Sequence, residues 1–378
     1  MKIFCFSHLR WNFVYQRPQH LLSRAGASFP VFYIEEPVFG PQQDRLEIRE
    51  AGNQVNVVVP YLNESGDRRD ITSSIRELLN KWEELDGTPF IAWFYTPMAL
   101  DLLDAFPEPA LIVYDCMDEL SAFRFAPAGL KEKEQVLISR ADIIFTGGVS
   151  LYEAKKHLHD IIYAVPSSID KEHFSKAQTV KNEPGDQLNI PHPRIGFFGV
   201  IDERLDIDII GELARRRPDW QLVLVGPTVK IDPATLPAEN NIHYLGSKSY
   251  DELPVYLGGW DVAIIPFAIN ESTEFISPTK TPEYLAGGIP VVSTPIRDVV
   301  NPYGVNGLVS IASNAAEFEE AVSGALQLKE NSGWKNQVKE FLADMSWDNT
   351  WNNMLQKITR LLENKSTIST KKKEGLHV

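Results

Sequence analysis

The sequence predicts an α/β protein made of two doubly wound domains in tandem. Three observations predict it. The chain has 378 residues, too many for one ordinary core and suited to two. Short, wholly apolar runs alternate with helix-like stretches, the pattern of parallel strands covered on both faces. That alternation stops at a polar stretch near the middle and then starts again.

In the first half, strands are expected at 2–6, 31–34, 55–59, 90–94, 111–114 and 142–146, and helices at 17–25, 73–84, 97–106 and 130–141. Residues 172–191 carry Lys, Asn, Pro, Gly and Asp and read as an interdomain linker or exposed loop. Strands then recur at 194–198, 221–225, 242–245, 262–266 and 290–293, with helices at 207–216, 250–257 and 281–286. Helices 316–328 and 334–362 follow. Within the last of these, Trp347, Trp351, Met354, Ile358, Leu361 and Leu362 recur at helical spacing as a packing face, with Ser346 or Asp348 as a cap. The expected division is a first domain at 1–170, a second at 171–345, a closing helix at 346–364 and a frayed polar tail at 365–378. Open α/β sheets bind ligands at the carboxyl ends of their strands, so two facing domains would share one cleft.

Composition narrows the function classes. Hydrophobic residues at 43% and charged residues at 23% exclude wholesale disorder. Lys plus Arg number 37 against 51 Asp plus Glu, and a net charge of −14 argues against wrapping nucleic acid. Cys5 and Cys116 lie in strand-like runs and lack the spacing of a metal knuckle or disulfide framework. They read as reduced thiols of a cytosolic protein. Met1-Lys2 leads straight into an apolar strand, so no signal peptide is expected, and no apolar run approaches the roughly 20 residues of a spanning helix. The expectation is a cytoplasmic protein, at most peripheral at the inner membrane face. Lys371, Lys372 and Lys373 are either a solvated end or a contact to anionic lipid.

The most informative stretch is ESTEFISPTKTPEYLAGGIPVVST, from Glu271 to Thr294. Ser277, Pro278 and Thr279 precede a helix whose first turn offers free N–H groups and a positive dipole end, a setting for phosphate. Lys280 adds a full charge there. Glu283, three residues on, shares its face and can accept from both hydroxyls of a ribose. The plainer alternative is a capped helix with a surface Lys–Glu pair. Gly199 follows a strand and lets a ligand approach the backbone, while Arg204 in the same loop either serves that ligand or pairs with Asp202, Glu203 or Asp206.

SPTKTPEYLAGGIPVVST resembles the nucleotide-binding segment of GT-B glycosyltransferases. The resemblance extends to Trp11 with Gln16-Arg17-Pro18-Gln19-His20, to Tyr114-Asp115-Cys116-Met117-Asp118-Glu119 and to Ser346-Trp347-Asp348-Asn349-Thr350-Trp351. It is nearest to glycosyltransferase family 4 and to envelope-polysaccharide transferases of the teichuronic-acid type. The resemblance implies two Rossmann-like domains facing a cleft, a nucleoside diphosphate sugar held by the second domain, and a final helix crossing back onto the first. Glu283 would bind the donor ribose, Lys280 the diphosphate, and the base would lie near Tyr244, which otherwise reads as a strand core residue. Two departures stand out. Phe275 occupies the place of a second glutamate that faces the donor sugar in common family 4 members, with Glu274 one residue further away. Val200 and Leu205 stand where those members carry Arg and Lys, with Arg204 beside the second.

In the first domain, Arg17 at a helix start is electrostatically awkward and suggests an anionic partner such as an acceptor phosphate or the donor diphosphate, the alternative being an ion pair with Glu35 or Glu36. Trp11 accompanies it as an acceptor-side residue. An inverting transfer needs a base at the acceptor hydroxyl, whereas in a retaining one neither Asp118 nor Asp115 need be a base and either could orient the acceptor. Asp118 is the first candidate and Asp115 the second, Asp115 otherwise being a turn or helix cap. His8 is a base, a hydrogen-bond donor or a structural histidine. The expected function is transfer of a sugar from a nucleoside diphosphate sugar to a hydroxyl of a glycan or lipid-linked acceptor, without metal or cofactor. The rivals are a nucleotide-sugar epimerase or hydrolase of the same fold and a non-catalytic nucleotide-sugar binding protein.

Overall fold

The computed structural model describes residues 1–64 and 71–374, with side chains to position 367. Nine strands form the first sheet: β1 (Lys2–Phe6), β2 (Val31–Ile34), β3 (Val38–Gly40), β4 (Arg45–Glu50), β5 (Val55–Asn63), β6 (Phe90–Phe94), β7 (Leu111–Cys116), β8 (Ile143–Thr146) and β9 (Ile162–Ala164). Their order is β3-β5-β2-β1-β6-β7-β8-β9, all parallel, with β4 antiparallel to β5. Successive side chains of a strand point to opposite faces, and here each face meets its own core. Ile3, Cys5, Val31, Tyr33, Ile91 and Trp93 enter one cluster. Phe4, Phe6, Phe32, Ile34, Ala92 and Phe94 enter the other. This double burial is why these strands are continuous apolar runs rather than alternating ones.

The second sheet comprises β10 (Arg194–Phe198), β11 (Gln221–Val225), β12 (Ile242–Tyr244), β13 (Val262–Ile265), β14 (Val291–Ser293) and β15 (Val309–Ile311), in the parallel order β12-β11-β10-β13-β14-β15. In each sheet the strand order reverses beside the first strand of the domain, so the crevice between neighbouring loops opens above β1 and above β10.

Several elements differ from the sequence reading. Strand β4 was not expected: RLEIRE is charged on one side, and only Leu46 is drawn against the core beneath it. The stretch at 172–191 is not simply an exposed linker. It forms the helix Lys171–Ser175 and packs onto the second domain, with Phe174 fully buried. The Gln187 side chain there donates to the Tyr256 carbonyl at 3.0 Å and accepts from the Trp260 indole at 2.9 Å. Polar composition concealed this because its buried polar groups are satisfied. The expected helix 334–362 is two helices, Ser332–Phe341 and Trp347–Glu374. The Ser346 hydroxyl restarts the chain by accepting from the Asn349 N–H at 3.0 Å.

The last helix crosses back to the first domain. Trp347, Trp351, Met354 and Ile358 are buried in the first-domain core. It also extends past position 364 to Glu374, where a frayed tail was expected. No Gly or Pro intervenes before Gly375, and Lys365 ties this part down through Asp142 at 2.6 Å. Side chains 371–373 and residues 375–378 lie outside the described set, and the lysine triplet with them. No helix among the described residues is long and apolar enough to cross a membrane.

Candidate functional site

The loops after β10 and β11 are nested by two glycines. Gly199 has φ +143° and Gly226 φ +151°. A Cβ on Gly226 would stand 1.8 Å from the Gly199 carbonyl oxygen, and a Cβ on Gly199 would stand 2.2 Å from Cε of Lys280. Only glycine tolerates both the backbone region and the contact. The result is a cleft of about 400 Å³ between the domains, bordered by Trp11 and Gln16 from the first and by Gly199, Tyr250, Lys280 and Glu283 from the second.

Lys280 opens the helix Lys280–Ala286, with Thr279 also in the cleft wall. Among the described residues the Lys280 ammonium makes no ion pair and the Glu283 carboxylate no hydrogen bond. Burial, reinforced by the Arg204 charge, pushes the Lys280 pKa down; burial pushes Glu283 up, against the pull of Lys280. The two groups feel each other's charge, and the Lys280 ammonium lies 5.7 Å from the Phe197 and Phe267 ring centres, but among the described residues neither side chain has the hydrogen bonds that a ligand would supply. Ser277 and Pro278 fall outside the cleft lining. Ser277 instead borders Gly148 of the first domain. Beside it, Asp298 accepts the N–H groups of Val149 and Ser150 at 2.9 Å each, so a second-domain carboxylate caps a first-domain helix.

Tyr244 belongs neither to the cleft nor to the core. Its hydroxyl donates to the Pro237 carbonyl at 2.9 Å and its ring is partly exposed. Tyr244 is the last residue of β12 and its side chain is tied to Pro237, so the loop Ser247-Lys248-Ser249-Tyr250 lines the cleft in its place. Tyr250 was missed in the sequence. The available signal was Ser249-x-x-Glu252, which forms a reciprocal capping box and marks a loop entering a helix at a strand's carboxyl end.

A second cavity of about 540 Å³ adjoins the first and shares Phe13, Gln16, Val200 and Arg204 with it. His8 and Asp118 face it from the first domain, Lys230 from the second. Burial, against the Arg204, Arg17 and Lys280 charges, raises the Asp118 pKa to about 6. Burial and the Lys230 charge lower His8 to about 4, and its Nδ1 is buried without a partner among the described residues. Neutral His8 is therefore the weaker base at pH 7, and Asp118 lies closer to the value a general base needs. Trp11 does border the cleft. Its ring meets Tyr33 edge-on at 5.0 Å and its backbone N–H donates to the Glu35 carboxylate at 2.8 Å.

Arg17 and Asp115 are not available for these roles. They pair with each other in the first-domain interior: Nε donates to Oδ1 at 3.0 Å, NH2 to Oδ1 at 2.8 Å, and NH1 to the Val165 carbonyl at 2.8 Å. Arg17 is 1% exposed and Asp115 fully buried. The awkward cation at a helix start is thus answered from inside the protein, by neither an anionic ligand nor Glu35 or Glu36. Arg204 forks onto Asp202, with contacts of 2.9 and 2.7 Å, so part of its charge is spent locally. Phe275 packs against the first-domain core and Glu274 is exposed. Phe275 is thus an interdomain contact. Among the described residues no group of three or more His, Cys, Asp or Glu is placed to hold a metal ion.

Residues 192–327 match the family model described as Glycosyl transferases group 1. The match lies wholly within the second domain and covers about a third of the chain. The chain carrying it is also similar to TuaH of Bacillus subtilis (strain 168), a protein named as a teichuronic acid biosynthesis glycosyltransferase, at 28% identity over 221 residues. That match covers 53% of this chain and 54% of TuaH, so it spans about half the length of this relative. Among solved structures, sucrose-phosphate synthase from Thermosynechococcus elongatus superposes with a TM-score of 0.70 at 14% identity, covering 96% of this chain and 99% of that one. Anabaena Alr3699/HepE in complex with UDP and glucose gives 0.63 at 13% identity, covering 95% and 99%. By these structural neighbours and its two parallel sheets the chain has the GT-B fold: two Rossmann-like domains, facing sheets and a helix crossing back.

Proposed function

We propose that this chain transfers a sugar from a nucleoside diphosphate sugar to a hydroxyl of a glycan or lipid-linked acceptor, in the synthesis of a cell-envelope polysaccharide. The observation that carries this is the Lys280–Glu283 pair, without a hydrogen bond to either side chain among the described residues, on the wall of the interdomain cleft beside the Gly199–Gly226 nest. Lys280 offers its charge to the diphosphate, whose negative charge grows as the sugar leaves, and does so where water is largely excluded. Glu283 accepts from the ribose hydroxyls. The protein's own charges serve the leaving group, so the proposal needs neither metal nor cofactor. A lipid-linked acceptor would bring the protein to the inner membrane face from the cytoplasm. HepE, which shares the fold, was solved in complex with UDP and glucose, so UDP-sugars are the first donors to try.

Thermal shift against a panel of nucleoside diphosphates and their sugars tests the donor half. The wild type is expected to be stabilised selectively by one nucleotide, and Glu283→Ala to lose most of that shift. A variant stabilised as strongly as the wild type would remove Glu283 from the donor site.

For the acceptor half we assign the general base to Asp118, which opens onto the adjoining cavity. Only the ionised carboxylate can take a proton, so the transfer rate should climb with pH through about 6 and level off above it. Asp118→Asn should lower the rate by about 10²–10⁴-fold and flatten that limb. A full-rate Asn variant with an unchanged pH profile would exclude this role.

A further inference from the structure

Tyr250 carries a group that the protein itself leaves unanswered. Its hydroxyl is buried and has no hydrogen-bond partner among the described residues. Such a group costs about 1–3 kcal/mol relative to a satisfied one, so its retention calls for an explanation. Flexibility is not that explanation. The ring is stacked on His173 at 4.2 Å with 6° between planes, and on Tyr15 at 4.5 Å with 27°. His20 and Phe174 meet it edge-on at 5.4 and 5.6 Å. The Tyr250 carbonyl is tied to Nε2 of His173 at 3.0 Å. The phenol is therefore held in one orientation by rings of both domains.

That orientation serves the donor cleft. Tyr250 borders it together with Lys280 and Glu283. Burial pushes the phenol pKa far up, and the Glu283 carboxylate is the next largest contributor, which places the two groups within electrostatic reach. The acidic groups Asp170 and the Tyr15 phenol act in the same sense, and Arg24 opposes them. At neutral pH the phenol is a neutral O–H donor, and Glu283, once ionised, only accepts. An ionised carboxylate and a donating phenol on one cleft wall match a pair of adjacent hydroxyls: each can donate to the carboxylate while one accepts from the phenol.

We propose that Tyr250 is a specificity-determining residue which, with Glu283, reads the 2′- and 3′-hydroxyls of the donor ribose and so selects ribonucleotides over 2′-deoxyribonucleotides. This rests on the assignment of Glu283 to the ribose made above. It adds a hydrogen-bonding partner from the loop after β12, and it makes the first domain part of the donor site, because Tyr15 holds the Tyr250 ring in place. A site built to pair with a hydroxyl discriminates strongly against an analogue lacking it, because its polar groups are then left unpaired.

The test compares binding of uridine diphosphate with 2′-deoxyuridine diphosphate, or the matching pair of whichever base the wild type prefers, by calorimetric titration of the full chain. The wild type should favour the ribonucleotide by about tenfold or more. Tyr250→Phe keeps every ring contact and removes only the O–H. It should lower that ratio several-fold, while the melting temperature without ligand holds or rises because an unanswered buried hydroxyl is gone. A merely structural tyrosine would instead lower the melting temperature and leave the ratio alone. Tyr15→Leu removes the stack but keeps the phenol, and should also erode the ratio. Wild-type ratios in both variants would overturn the proposal while leaving the transferase reading intact. If Glu283→Ala binds both nucleotides normally, or no nucleotide binds the wild type, the functional reading itself falls and the Tyr250 assignment with it.

Discussion

Lys280→Ala should reduce sugar transfer by about 10²–10³-fold, the loss typical of removing one preorganised donor to developing negative charge. The protein should stay folded. The Lys280 ammonium has no ion-pair partner among the described residues, and its pKa is pushed down by burial and by Arg204, so the charge is a burden to the empty protein. Removing it should leave the melting temperature unchanged or slightly higher. This combination separates a functional charge from a structural one: a structural lysine would lower both activity and stability. The measurement is nucleotide release in the presence of donor and acceptor, with the melt recorded on the same preparations. Transfer at the wild-type rate in Lys280→Ala would end the assignment of this cleft.

The largest stability effect is expected far from that cleft. Arg17→Ala should destabilise the first domain by about 3–5 kcal/mol, since it strands the Asp115 carboxylate in a dry interior. Asp115→Ala should do the same by stranding the guanidinium, together with the donor that holds the Val165 carbonyl. At roughly 2–4 °C per kcal/mol for a domain of this size, the first-domain melting transition should fall by about 10 °C. The double variant Arg17→Met with Asp115→Leu fills the volume without charge and should recover much of the loss. If either single variant melted like the wild type, the pair would be stabilised by something other than mutual neutralisation. The same variants separate two uses of Arg17. An anion-binding arginine would lose activity before stability, whereas this one should lose stability first.

The layered architecture was legible because it follows from local rules. Strands such as 2–6 and 90–94 are apolar at every position that meets the core, which only a doubly covered parallel sheet accommodates, and the restart of that pattern after the middle revealed the second domain. The edge strand β4 was not legible, since half its residues face solvent and its charges mask a weak alternation. Lys280 and Glu283 were visible as a candidate pair from helical spacing, because both sit within one turn of a single element.

The residues on the other side of the cleft were harder to read, for a physical reason. Arg17 and Asp115 are 98 positions apart, and nothing local tells an arginine answered by a buried carboxylate from one awaiting a ligand. Tyr250 acquires meaning only when the distant Tyr15 stacks on its ring. Phe275, which by the resemblance stands where a glutamate would face the donor sugar, shows its packing against the other domain's core only in the fold. Periodicity and neighbouring residues encode the two sheets, the helices between them and the charged turn at Lys280, and these could be read along the chain. Which polar groups find partners is settled only in three dimensions. Whether a buried charge or hydroxyl is satisfied depends on groups brought together from distant positions, and only the unsatisfied ones are left to meet a ligand.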